Sequence, residues 1–182
     1  LDPTMAEDAR SAAKISELFC GLVEQRLDLE VVPDVAQSWE VLEGGKRYVF
    51  HLRKDVLWSD GRPVTAGDFE YAWKRVLDPV LGMPLASLLD DIKGARAFRQ
   101  GQVSEPDSVG VKALDGFTLV VDLEGPTGYF LHLLANTIAF PVPRHVVEMH
   151  GEAWAEPENI VTCGPFKLEA WKPGEMMTLT RN

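Results

Sequence analysis

Cysteine is scarce in this chain: Cys20 and Cys163 are the two it has in 182 residues. A pair so far apart makes neither a zinc site nor a disulfide-rich scaffold. It permits one long-range disulfide, and equally two buried thiols. Positive charge is also short. With 18 Lys+Arg against 28 Asp+Glu the formal net charge is −10 and the pI is near 4.8. That balance argues against nucleic-acid binding, which needs a basic face, and against docking on anionic lipid. No apolar run approaches the roughly 18 residues of a membrane span. There is no initiator Met and no basic-then-apolar leader; the chain opens abruptly at Leu1-Asp2-Pro3 and reads as a piece of something longer. Internal repeats and low-complexity stretches are missing too.

Catalytic patterns are equally sparse. The four histidines are His51, His132, His145 and His150. His145 and His150 are five apart, which does not place two ligands on one helix face. His51 shares a strand side with Arg47 and Arg53, as on a solvated polar face. No glycine-rich phosphate loop follows a strand, and no serine occupies a Gly-x-Ser-x-Gly elbow. Asp90-Asp91 reads as a pair favoured at a helix start rather than a cation site. Nothing assembles a nucleophile, a base or a metal cluster, so an enzyme is not expected, and no cofactor is called for.

What is present is an ordinary globular composition: 46% hydrophobic and 25% charged residues. A chain of this length buries roughly 70% of its unfolded surface and folds without a metal. Ile15, Leu18, Phe19 and Leu22 predict a helix over Ser11–Leu22. Leu29–Val32 reads as a short strand. The runs 38–42 and 47–53 flank Glu43-Gly44-Gly45-Lys46 as a hairpin, with Tyr48, Phe50 and Leu52 on its apolar side. Trp58 to Pro63 is a turn. Thr65 opens a helix with Asp68 in capping-box position and Phe69, Trp73 and Val76 or Leu77 as its stripe. Short helical segments are expected over 85–89, 92–100, 126–134 and 144–150. Strands are expected over 109–113 and 118–123, and a closing hairpin over 166–171 and 176–180 around Pro173-Gly174. Trp39 and Trp73 sit in apolar patterns that read as core rather than as a sugar platform. The mixture is an α+β (mixed α/β) class.

Some words in the chain are specific. Trp58-Ser59-Asp60-Gly61-Arg62-Pro63-Val64-Thr65-Ala66-Gly67-Asp68-Phe69, then Tyr71-Ala72-Trp73-Lys74-Arg75, resembles the family 5 extracellular solute-binding proteins. These are oligopeptide-, dipeptide- and nickel-binding receptors of ABC importers. Further matching words run in order from Leu1-Asp2-Pro3 through Val32 to Trp39, Leu77-Asp78-Pro79 and Gly110 to Asp115. They continue through Pro141-Val142-Pro143 and Pro157 to Thr162 to Gly164-Pro165-Phe166. Thr180-Arg181-Asn182 resembles the Glu-Arg-Asn that in relatives precedes a long remainder.

The resemblance implies the N-terminal lobe portion of a type II periplasmic-binding-protein fold, with the extra subdomain of oligopeptide binders. Residues 1–19 and 144–182 would belong to lobe one, 20–143 to the inserted subdomain, and the second lobe would lie outside this chain. It implies a peptide or other small solute as ligand, docking on an ABC permease through the full-length protein, and no chemistry. The place would be the periplasmic or extracellular face of a bacterial membrane, reached only through a lipid anchor beyond this chain. A ligand-sensing domain of a larger regulatory protein is the alternative. Glu7 matches the family's acidic residue that meets a peptide amino terminus, where a carboxylate–ammonium bond suits the chemistry. Its other reading is a charge favouring the helix that follows. Leu85 stands where some relatives carry a ligand-contacting tyrosine, leaving an apolar contact without a hydroxyl. Relatives usually have Glu and Asn where this chain has Cys20 and Cys163. That double change implies two positions in contact, and hence either a disulfide or a pair of buried thiols.

Overall fold

Strict alternation along Tyr48, Phe50 and Leu52 puts one side of a strand inward, and these three side chains are buried. In the computed structural model, which describes residues 1–6, 8–172 and 175–182, that strand is central. The hairpin β3 (Ala36–Leu42) and β4 (Arg47–Leu52) joins a second hairpin, β5 (Val111–Asp115) and β6 (Thr118–Asp122). The result is a four-stranded antiparallel sheet in the order β3-β4-β6-β5. Phe50 pairs with Leu119 and Tyr48 with Val121, so the buried positions of both central strands share one face.

Helix α2 (Ala66–Val76) covers that sheet. Phe69, Trp73, Val76 and Leu77 recur at helical spacing and are fully buried. Trp73 Nε1 donates to the Ala139 carbonyl at 2.9 Å, which satisfies its one polar atom. The helix begins as expected. The Asp68 carboxylate accepts from the Thr65 amide at 2.8 Å and from the Thr65 hydroxyl at 2.9 Å.

The first helix, α1, runs Ala9–Leu18 rather than Ser11–Leu22. Asp8 caps it by accepting the Arg10 and Ser11 amides at 2.9 and 3.0 Å. It stops early because the Leu18 carbonyl is taken by the amides of Cys163 and Gly164, at 3.2 and 2.8 Å. Phe19 and Leu22 remain buried beyond the helix, Phe19 already on extended backbone, and lead into β1 (Val23–Gln25). Strand β2 (Val31–Pro33) pairs with β1 and starts later than expected, since Leu29 takes a left-handed φ of 70°. Helix α3 is only Ala95–Arg99, because Gly94 at φ 72° lies outside helical space. Helix α4 is only Phe130–Leu134. Helix α5 (Arg144–His150) and the hairpin β7 (Phe166–Lys172) and β8 (Met176–Arg181) match their expected positions. The Pro173-Gly174 turn lies outside the described residues.

Two local readings are corrected. Asp90-Asp91 is not at a helix start: Asp90 follows a 3-10 turn over Ala86–Leu89 and is bound by Arg99 and Arg96. Asp91 accepts the Tyr129 hydroxyl at 2.6 Å. Trp39, expected in the core, is only partly buried, tilted against Phe50.

The sulfurs of Cys20 and Cys163 are joined, with 5.7 Å between the Cα atoms. The joint ties the chain just after α1 to the segment before β7.

Candidate functional site

Three residues of the motif over Trp58–Phe69 are joints. Asp68, buried, accepts Trp58 Nε1 at 3.4 Å and the Arg144 amide at 3.4 Å in addition to the Thr65 groups. Ser59 exchanges bonds with Thr162, its amide donating at 2.7 Å and its hydroxyl oxygen accepting at 3.1 Å. Asp60 lies 2.7 Å from His145 Nε2. The motif therefore pins the turn after β4 to the start of α5 and to the strand approach at 162. It carries no reactive group of its own.

The N-terminal segment is held by charge. Asp2 caps a 3-10 turn over Pro3–Met5 and pairs with Arg75 of α2 at 2.8 Å, both side chains being only 11% and 13% exposed. Arg75 also donates to the Thr4 hydroxyl at 3.2 Å, and Trp154 Nε1 donates to Asp2 at 3.3 Å. The Thr4 hydroxyl reaches Met83 Sδ at 3.5 Å. This last contact matters for the two residues proposed as ligand contacts. It seats the chain just before Glu7 against the loop that carries Leu85, two residues beyond Met83. Glu7 itself lies outside the described residues. Leu85 is half-buried, at the start of the Ala86–Leu89 turn, and packs partly on the core. Both segments expose large apolar side chains: Met5 on the first is 53% exposed, and Val80 and Leu88 on the second are 89% and 38% exposed. Such side chains are suited to contact with apolar groups rather than with charge.

Sequence reasoning missed the Asp2–Arg75–Thr4 clamp. Its signal was present only as two oppositely charged residues inside matched words, and their 73-residue separation hides the pairing.

No alternative chemistry emerges. Among the described residues no three His, Cys, Asp or Glu cluster as a metal site would require. His51 faces Glu40 across β3 and β4 at 2.8 Å, on the outer side of the sheet, as expected of a polar face. Burial raises the Asp34 carboxyl above its ordinary range, offset in part by the Gly21 amide donating to it at 2.9 Å. That contact ties the residues before β1 to those after β2. None of the described helices is long and apolar enough to cross a membrane.

Residues 30–182 match the family described as "Bacterial extracellular solute-binding proteins, family 5 Middle". Over the whole chain the sequence is 44% identical to the "Probable deoxycholate-binding periplasmic protein YgiS" of Escherichia coli K12, covering 34% of that protein. It is 42% identical to the "Periplasmic oligopeptide-binding protein OppA" of the same organism, again covering all of this chain and 34% of that one. The solved complex of Haemophilus influenzae OppA with RPPGFSPFR superposes with a TM-score of 0.94 at 36% identity, over 99% of this chain and 35% of that one. The chain thus spans about a third of the length of the curated relatives it matches.

Proposed function

The chain belongs to the bacterial extracellular solute-binding proteins, family 5, and we propose that it is the N-terminal part of a non-catalytic receptor that captures peptide or another small solute for ABC import. The fold is the N-terminal portion of the OppA-type binding-protein fold. The periplasm is the proposed place, from relatives named for it. Residues 1–19 and 144–182 are assigned to lobe one and 20–143 to its additional subdomain, with the facing lobe outside this chain. The stiff Pro141-Val142-Pro143 crossing agrees with that division.

The observation that carries the reading is the near-complete superposition on a peptide-filled receptor. The exposed apolar side chains Met5, Val80 and Leu88, on the two segments joined by the Thr4–Met83 contact, support it as one wall of a ligand site. Glu7 is the proposed partner of a ligand ammonium, and Leu85 an apolar contact. Closure of a second lobe would dehydrate the ligand and create the form that docks on a permease.

A second reading concerns the ligand. The relative at 44% identity is named for deoxycholate, and a leucine at position 85 on an otherwise apolar wall suits a steroid face. Titration of the full-length protein with a di- to pentapeptide mixture and, separately, with deoxycholate decides between them. Peptide binding at micromolar or tighter supports the first reading. Deoxycholate binding alone replaces it with the second. Absence of both excludes peptide and deoxycholate as its ligand.

A further inference from the structure

Helix α2 has a second face besides the one that covers the sheet. Gly67, Glu70, Tyr71, Lys74, Arg75 and Asp78 fall three and four residues apart, so they form one stripe along its outer side. That stripe is the floor of a cleft of about 600 Å³. One wall is α3 with the turn at Pro106–Ser108. The other is α5 with the turn that follows it. The volume is within the usual range for a small-molecule site, and a seam between two such walls is a usual place for one.

The cleft is apolar at depth. Phe98 and Val147 are nearly buried, Tyr71 is half-buried, and Leu81 is exposed. Burial raises the Tyr71 hydroxyl above its ordinary range, opposed by the nearby Arg75 and Arg144 charges, so the ring stays neutral.

Its charges are unequal in availability. Lys74 is bound by Glu70 and by Asp107, each at 2.7 Å. Arg75 is bound by Asp2 at 2.8 Å. Arg144 is bound by Glu148 at 2.7 Å and lies 5.4 Å from the Tyr71 ring centre. Every cation on the lining is therefore committed. Asp78 and Glu152 have no cationic partner among the described residues. Asp78 uses one oxygen to accept the Val80 amide at 2.8 Å, and its other oxygen has no partner among them. An anion entering here would meet occupied cations and bare carboxylates, in a chain of net charge −10. A cation would meet the reverse.

We propose that this cleft is a second ligand site that takes an amphipathic organic cation: an ammonium at the Asp78–Glu152 rim with an aryl or alkyl body over Tyr71, Phe98 and Val147. The inference does not depend on the receptor reading, because it uses only the chain's own charges and shape.

The test is an NMR titration of the chain at low salt with three probes sharing one ring system: 1-naphthylmethylammonium, the neutral 1-naphthalenemethanol and the anionic 1-naphthaleneacetate. The expected result is submillimolar binding of the ammonium, with amide shifts centred on Gly67, Tyr71, Phe98 and Val147. The alcohol and the acetate should bind at least tenfold more weakly. Asp78→Asn with Glu152→Gln should weaken the ammonium about tenfold, since asparagine keeps the acceptor for the Val80 amide. Glu152→Gln alone, at an exposed position, should give a smaller loss in the same direction without touching the fold. Equal binding of alcohol and ammonium would reduce the cleft to an apolar groove and overturn the proposal. Tighter binding of the acetate, shifts centred elsewhere, indifference to Glu152→Gln, or no binding at 5 mM would each overturn it as well.

Discussion

Reduction of the Cys20–Cys163 bond should lower stability without changing the fold. The two cysteines are 143 residues apart in sequence. In the chain-entropy account, closing a loop of that length constrains the unfolded chain by about 5 kcal/mol. The native crossing does not depend on the bond. The Leu18 carbonyl already holds the amides of Cys163 and Gly164, and Phe19 beside it is buried among Trp58 and Trp154. The effect should therefore act on the unfolded state and leave native contacts in place. For a chain of this size each kcal/mol moves the thermal midpoint by about 2–4 °C, so about 10–20 °C is expected.

The assay has two arms. Thiol titration of the non-reduced, denatured chain should find no free thiol. Thermal unfolding with and without reductant should then separate by about the stated interval, and Cys20→Ser with Cys163→Ser should behave like the reduced protein. Two free thiols before reduction would refute the bond. A bond whose removal shifts the midpoint by less than about 3 °C would refute the reasoning from the unfolded state.

Other outcomes follow from single joints. Asp34 carries a carboxyl raised by burial, so its ionisation opposes folding: the penalty is absent below the ordinary carboxylate pKa and complete above the raised one. Asp34→Asn should accordingly raise the thermal midpoint at pH 7 and lose that advantage near pH 3, read by circular dichroism at both values. Asp90 behaves oppositely, its carboxyl held low chiefly by Arg99, which reaches its two oxygens at 2.8 and 2.7 Å. Its contribution is present above the ordinary carboxylate pKa and lost as pH falls through the lowered one, so Asp90→Asn should cost about 1–2 kcal/mol at pH 7 in urea unfolding and nothing in strong acid. At Gly164 a methyl group would lie 2.6 Å from the Leu18 carbonyl carbon and 2.7 Å from the Phe19 nitrogen, both backbone atoms that cannot swing aside. Gly164→Ala should cost about 1–3 kcal/mol, seen as a midpoint some 3–10 °C lower.

Periodicity carried the sheet and the main helix because both are governed by a single buried side. Tyr48, Phe50 and Leu52 could only be a strand with one face inward, and Phe69, Trp73 and Val76 only a helix stripe. The first helix ends earlier than expected: Phe19 and Leu22 continue a helical apolar spacing although they lie beyond its last turn. What ends the helix there is a pair of amides from residues 163 and 164, which no local pattern contains. The same limit hid the Asp2–Arg75 clamp and the Asp68 contacts with Trp58 and Arg144. In each, the partner is remote in sequence and only the fold supplies it. Glu7 and Leu85 were legible only through resemblance to a family. Their own neighbourhoods show an acidic residue before a helix and a leucine among leucines.

The proposed receptor has one wall of its ligand site in this chain and depends on a second lobe for the rest. A fully enclosed site buries 70–90% of a small ligand, and one wall cannot supply that contact. A Glu7–ammonium pair left open to water is worth only about 1 kcal/mol. Calorimetric titration of the isolated 182-residue chain with a di- to pentapeptide mixture measures this most directly. The expected result is cooperative thermal unfolding together with peptide affinity no tighter than about millimolar, or roughly −4 kcal/mol. Micromolar peptide binding that disappears in Glu7→Ala would show a complete site within this chain and contradict the account.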